Sequence, residues 1–228
     1  MSLSHSPKIV TDGLVLCLDA ANPRSYPKSG TTWSDLAGSN DGTMQNMEDN
    51  YSDEKRGVLN FDGTNEYIAL GNASNFISSS QNTATVCAWV KPDSIGSYKK
   101  IFSVCNSGTS QIQSFYFSIG PHPYKVYMGL KTSSAVAAVH NVDLSTTEFT
   151  YLCAVYNGST LKLYRNGLEV ASQNQTGNIP TTGVGRISGY DNGAENWPGN
   201  IASFSMYNKA LTADEVRQNY NATKRRFK

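Results

Sequence analysis

Charge is scarce in this sequence. Asp, Glu, Lys and Arg make up 16% of its 228 residues and nearly cancel, leaving a formal net charge of +1. A chain so balanced has no field to draw nucleic acid or an anionic membrane toward it. Apolar runs are short, well below the ~20 residues that a membrane-crossing helix needs. The opening Met1-Ser-Leu-Ser-His-Ser-Pro7 lacks the basic stretch followed by an apolar one that marks a secretory leader, so none is expected. Histidine is rare: His5, His122 and His140 stand far apart, with no companion ligands at metal-binding spacing. There is no G-x-S-x-G nucleophile elbow. Gly183-Val-Gly-Arg-Ile-Ser-Gly189 lacks the spacing and the following helix of a dinucleotide fingerprint. No C-x-x-C pair occurs. Cys17, Cys87, Cys105 and Cys153 each sit inside an apolar run, so they read as small buried hydrophobes with free thiols from a reducing compartment. Strand pairing that joins two of them stays open.

What fills the space left by charge is Ser, Thr, Asn and 19 Gly, beside a hydrophobic fraction of 39%. That mixture favours short strands joined by many turns. Runs rich in β-branched and aromatic residues recur with turn signals between them. They predict strands at Leu14–Asp19, Gly57–Asp62, Glu66–Leu70, Ala84–Lys91, Lys100–Cys105, Gln113–Ile119 and Tyr124–Leu130. Further strands are predicted at Val136–His140, Thr150–Tyr156, Thr160–Arg165, Leu168–Ser172, Val184–Ser188 and Asn200–Tyr207. In the last, Ala202, Phe204 and Met206 share one face and Ser203, Ser205 and Tyr207 the other, the pattern of a half-wet antiparallel strand. Asn166-Gly167 suits the positive φ angles of a type I′ hairpin, and Asn157-Gly158 the preceding turn, giving a three-stranded meander over 150–172.

One helix is predicted. Thr212-Ala-Asp-Glu215 is a capping box, with Val216 and Tyr220 on one face and Leu211 as a staple. Many short strands and one late helix imply an all-β fold, two antiparallel sheets packed as a jelly-roll sandwich. The expected division is an N-terminal arm at 1–12, the sandwich at 13–221, and a basic tail at 222–228, solvated and frayed.

Five segments in order resemble concanavalin A-like, laminin-G-like jelly rolls. They are Asp12-Gly-Leu-Val-Leu16, Asn60-Phe-Asp-Gly-Thr-Asn-Glu-Tyr-Ile68, Thr85-Val-Cys-Ala-Trp-Val-Lys-Pro92, Leu163-Tyr-Arg-Asn-Gly167, and the closing strand and helix from Trp197 to Val216. The resemblance implies that Trp89 packs the core. The sequence departs from the family at Ile201-Ala-Ser203, where "I-D-E" is usual, and at Asn65-Glu66, where an Asp is common before the Tyr. A narrower likeness lies in residues 22–36 and 219–227, which are similar to laminin-G-like proteins of tailed bacteriophages, cyanophages included. That likeness implies a virion protein, a head decoration or cement or a tail component, assembled in the host cytoplasm. Its implied partners are other virion proteins and further copies of itself.

The fold hosts lectins, glycosidases and adhesion modules alike. The glycosidases carry E-x-D-x-x-E on one strand face, spaced for a retaining mechanism. No such triplet exists here, and most acids fall in turns, so no enzyme is expected. The sialidase Asp-box fails at Tyr26 and Lys28. The alternative to a structural role is a glycan-binding adhesin for host surface polysaccharide. Its candidate site is Tyr190, Asp191, Asn192, Asn196 and Trp197, an aromatic platform with amide and carboxylate partners in one loop; Tyr116, Tyr124 and Tyr127 add half-polar surface. Some members of the family bind calcium at the sandwich rim; here Asp62 is the first candidate ligand and Asp191, with Asn192 and Asn196, the second cluster, the alternative being that Asp62-Gly63 and Asp191-Asn-Gly193 are simply turns.

Overall fold

The computed structural model describes residues 7–78, 81–94, 98–119, 125–133 and 136–228. His5, His122 and Tyr124 lie outside the described residues. In chain order the strands are β1 (Leu14–Asp19), β2 (Thr32–Trp33), β3 (Gly42–Gln45), β4 (Tyr51–Ser52), β5 (Val58–Asp62) and β6 (Tyr67–Asn72). Next come β7 (Ala84–Pro92), β8 (Lys99–Cys105), β9 (Ile112–Ile119), β10 (Lys125–Lys131) and β11 (Val136–Asp143). The last are β12 (Thr150–Tyr156), β13 (Thr160–Arg165), β14 (Leu168–Asn174), β15 (Val184–Ile187) and β16 (Pro198–Tyr207), followed by helix α1 (Ala213–Thr223). All thirteen expected strands form. β2, β3 and β4 had no counterpart in the sequence reading, being two to four residues long and without alternation.

The strands pair antiparallel in two eight-stranded sheets. The first runs β14-β13-β12-β7-β16-β5-β4, with β1 also on β16; the second runs β11-β10-β9-β8-β15-β6-β3-β2. β12, β13 and β14 form the expected meander, and Asn166 (φ 52°) and Gly167 (φ 82°) make its left-handed turn. The main core lies between the sheets. One row across the second sheet shows how it is built. Met44, Ile68, Ile187, Phe102, Phe117 and Met128 are successive cross-strand partners and all are buried inward. The alternate row of the same strands must then face out.

A second apolar layer covers the outer face of the first sheet. The capping box forms as expected, with Glu215 N–H donating to Thr212 Oγ1 at 3.2 Å and Thr212 N–H to Glu215 Oε2 at 2.8 Å. The helix it starts lays Val216 and Tyr220 on Trp89, Tyr151, Cys153 and Tyr207. Trp89 therefore packs outside the sandwich, against the helix, and not in the main core. The serine face of β16 is not wet either: Tyr207 is buried, its hydroxyl donating to Val10 O at 3.1 Å. A bulge between Ile201 and Ser203 breaks the expected alternation, so Ala202 joins the outer layer while Ile201, Phe204 and Met206 point inward.

Both ends of the described chain are docked on this layer. Asn219 accepts from Val10 N–H at 2.7 Å, and Gln218 donates to Lys8 O at 2.8 Å. Phe227 stacks on Trp89 with ring centroids 4.0 Å apart and lies 5.0 Å from the Phe149 ring. Arg226 donates from Nε to Lys55 O at 2.6 Å, from NH1 to Asp19 Oδ1 at 2.6 Å, and from NH2 to Gly57 O. The boundary expected at 221 thus falls inside a folded unit. The tail is not frayed, because its aromatic and one of its guanidiniums have partners waiting on the sheet.

All four cysteines are free thiols, and Cys87 and Cys153 are directly opposed on β7 and β12. Burial, with Asp19 and Asp35 adding to it, pushes the Cys17 thiol up to about 12. Burial also raises Cys105, Cys153, Tyr151, Tyr156 and Tyr207, and takes Tyr164 to about 12. Unfolded, these groups ionise near about 8.5 for Cys and about 10 for Tyr. Above that range the unfolded chain binds fewer protons than the folded one, so stability falls as pH rises. Lys100 acts the other way, since burial lowers its pKa against the pull of Glu195, and deprotonation relieves that burden. Several acids outweigh one amine. Urea midpoints at constant ionic strength are expected to be level near neutral pH and to decline steadily above about pH 9. A level profile into the Tyr range would contradict this account.

Candidate functional site

The outward row of the second sheet reads Thr43, Ala69, Arg186, Ser103, Tyr116 and Gly129, each opposite the next. Small residues alternate with a cation and a ring; Thr43 is exposed and Ala69 and Tyr116 are half-buried, while Arg186, Ser103 and Gly129 are buried beneath their neighbours. A Cβ on Gly129 would run into the Tyr116 ring, so glycine there lets the ring lie flat on β10. Tyr67 flanks the row, and the Arg186 guanidinium sits 3.2 Å above its ring centroid.

The loop between β15 and β16 closes over one end of this face. Its backbone is tied down on both sides. Ser188 N–H donates to Ile101 O at 3.0 Å, Gly189 N–H to Lys100 O at 3.1 Å, and Lys100 N–H to Glu195 O at 2.8 Å. Ser103 Oγ donates to Gly189 O at 2.7 Å, and Arg186 NH1 to Tyr190 O at 2.5 Å. Lys100, whose side chain is 1% exposed, reaches Glu195 Oε2 at 2.6 Å and Ser118 Oγ at 3.0 Å. Its ammonium lies 4.7 Å from the Tyr190 ring centroid and 5.6 Å from that of Tyr116. Two cations are thus set against tyrosine rings, and Lys100 is also paired with the Glu195 carboxylate. Burial lowers the pKa of both Lys100 and Arg186, with Glu195 holding Lys100 up and Tyr67 and Asp191 supporting Arg186.

The five residues expected in a glycan site divide here. Tyr190 and Asp191 are half-buried and Asn192 is exposed, so these three reach the surface. Trp197 does not. It is fully buried in the main core, because it enters β16 at a position facing inward, and it offers no ring to a ligand. Asn196 is also buried; its Nδ2 donates to Gly193 O at 3.1 Å and to Thr64 O. Adjacency in sequence to Tyr190 suggested a shared platform, but a loop that turns into a strand sends successive side chains to opposite sides. The residues missed were Tyr67, Lys100, Arg186 and Glu195. They come from four separate segments, and only the strand register joins them.

The structure does bring the two expected calcium loops side by side, through Asn196 and Thr64. Asp62 is nevertheless committed to its own turn, with Oδ1 accepting from Thr64 N–H at 2.7 Å. Asp191 accepts from Gly108 N–H at 2.5 Å. The Thr64 and Gly193 carbonyls are taken by Asn196. Among the described residues no three His, Cys, Asp or Glu side chains gather where they could hold a metal ion. A calcium cage of six to eight oxygens does not fit this donor set.

A family profile described as the concanavalin A-like lectin/glucanases superfamily matches residues 62–217. The chain belongs to that superfamily. Solved structures agree on the fold. Domain 4 of an extracellular arabinanase from Geobacillus stearothermophilus, in complex with arabinotriose, superposes with a TM-score of 0.67 at 19% identity; 91% of this chain and 98% of that one are covered. The binding domain of Paraclostridial Mosquitocidal Protein 1 gives 0.68 at 16% identity, covering 93% and 52%. Trypanosoma rangeli sialidase in complex with sialic acid gives 0.69 at 16%, covering 97% and 36%. The chain thus spans about half of the mosquitocidal chain and about a third of the sialidase. No curated protein matches this superfamily member by sequence.

Proposed function

We propose that this chain is a non-catalytic glycan-binding module whose ligand lies along the outer face of the second sheet, bounded by Tyr67, Tyr116 and Tyr190. The observation that carries the reading is the set of half-buried rings, Tyr67, Tyr116 and Tyr190, held on the outer face of the second sheet by the buried cations Arg186 and Lys100. Rigid tyrosines give contact area at low entropic cost, and hydroxyl and amide groups supply orientation. A domain of the same fold in complex with arabinotriose supports this class of ligand. The acids beside the face already have partners, Lys100 for Glu195 and the Gly108 amide for Asp191, which suits holding a sugar and not cleaving it.

The test is binding to a panel of bacterial surface polysaccharides. Tyr116→Ala and Tyr190→Ala are each expected to weaken binding about thirtyfold, the effect of removing a central aromatic anchor. Melting temperatures would be compared to confirm folding. No binding to any polysaccharide, or binding indifferent to both substitutions, would overturn the assignment.

A second reading places the module on a tailed-phage particle, held by protein contacts. It rests on the likeness of residues 22–36 and 219–227 to phage proteins. The two segments that resemble phage proteins meet the same turn on the opposite side of the molecule. Lys28 Nζ lies 2.7 Å from Asp53 Oδ1, and Arg226 Nε 2.6 Å from Lys55 O. Attachment there would leave the tyrosine face outward, so the two readings are compatible. Failure to co-purify with intact particles would remove the second and leave the first.

A further inference from the structure

Beside the docked C-terminus lies a cleft of about 510 Å³, lined by Asp19, Ala21, Arg56, Ser203, Arg225 and Arg226, among others. Its charges do not balance. Arg226 is spent on Asp19 and on the carbonyls of Lys55 and Gly57. Asp19 Oδ1 also accepts from Ala21 N–H at 3.0 Å. Arg56 and Arg225 are exposed and have no acidic partner among the described residues; the nearby acids Asp53 and Glu54 pair with Lys28 and Lys91.

The backbone that presents Arg56 is unusual. Lys55 (φ 49°) and Arg56 (φ 71°) are consecutive left-handed residues without glycine's freedom, followed by Gly57 at φ 143°. A Cβ on Gly57 would come within 2.5 Å of Ala20 O, so glycine is required there. Arg226 grips the carbonyls on both sides of Arg56 and so holds this shape. The guanidinium of one arginine is used to aim another into an open cleft.

We propose that this cleft binds an oxyanion group, a phosphate or sulfate ester or a carboxylate, with Arg56 and Arg225 as its two guanidinium partners and the Ser203 hydroxyl as a further donor. Planar guanidiniums match oxyanions with paired N–H donors. The site lies on the other sheet from the tyrosine face and does not depend on the glycan reading.

The experiment titrates full-length protein with inorganic phosphate, inorganic sulfate and glucuronate, read by calorimetry and by melting temperature. Arg56→Gln and Arg225→Gln are compared singly and together; Arg226 is left intact because it holds the turn. At least one anion is expected to bind and raise the melting temperature. The double variant is expected to lose tenfold or more in affinity while its ligand-free melting temperature and its polysaccharide binding stay unchanged. Preference for phosphate and sulfate over glucuronate would mark an ester group, and the reverse a carboxylate. No binding of any of the three, or equal binding by the double variant, would overturn the proposal.

Discussion

Trp197→Ala is expected to cost the domain about 3–5 kcal/mol, the usual price of emptying a buried tryptophan site. For a chain of this size that lowers the melting temperature on the order of 10 °C. The side chain is 0% exposed and lies in the inter-sheet core with Ile201 and Phe204. Its neighbours are held by two sheets and cannot collapse into the gap. The indole Nε1 has no hydrogen-bond partner among the described residues, so Trp197→Phe forfeits volume alone and is expected to cost less. At temperatures where Trp197→Ala stays folded, its polysaccharide affinity should match the parent's. Loss of affinity in a variant shown by circular dichroism to be folded would return Trp197 to the ligand face.

Removing residues 224–228 is the second large effect. The deletion strips Phe227 from Trp89 and takes away the three Arg226 contacts. Burial of a Phe is worth about 1.5–3 kcal/mol, and charge-assisted hydrogen bonds about 1.5–3 kcal/mol. Phe227 is only half-buried, so the combined loss is expected near 3–4 kcal/mol, seen as a lower urea midpoint. Trp89 would gain solvent on the face Phe227 covers, and the tryptophan emission should shift red. Trp33 and Trp197, fully buried elsewhere, would not change. An unaltered midpoint and spectrum would mean that the tail contributes nothing to the outer layer.

These two residues show where sequence reasoning held and where it ran out. Strand positions were legible because alternation and turn residues are local signals; β1, β12 and β13 have the expected ends. The capping box was legible for the same reason. Which side of a sheet a residue takes was less so. Trp89 and Trp197 both sit in apolar strands, yet one faces the helix and the other the core, and nothing local separates them. In β16 a single bulge moved Ala202 off the face that alternation had it share with Phe204 and Met206. The candidate site was read from one loop, and only Tyr190, Asp191 and Asn192 of it reach the surface. The larger part, from Thr43 to Gly129, exists only through the pairing of six strands, a long-range property that no window of sequence contains. Lys100 looked like the polar start of a strand. Its role as a buried cation depends on Glu195, 95 residues away.

The docking of both chain ends on one layer has a practical corollary. Lys8 and Val10 are fastened by α1, and Phe227 lies on Trp89 a short distance off. A fluorophore, a surface tether or a fused polypeptide joined at Lys228 therefore emerges on the helix side. The tyrosine rings then point away from the support, so immobilised protein should present a uniform orientation to soluble polymer.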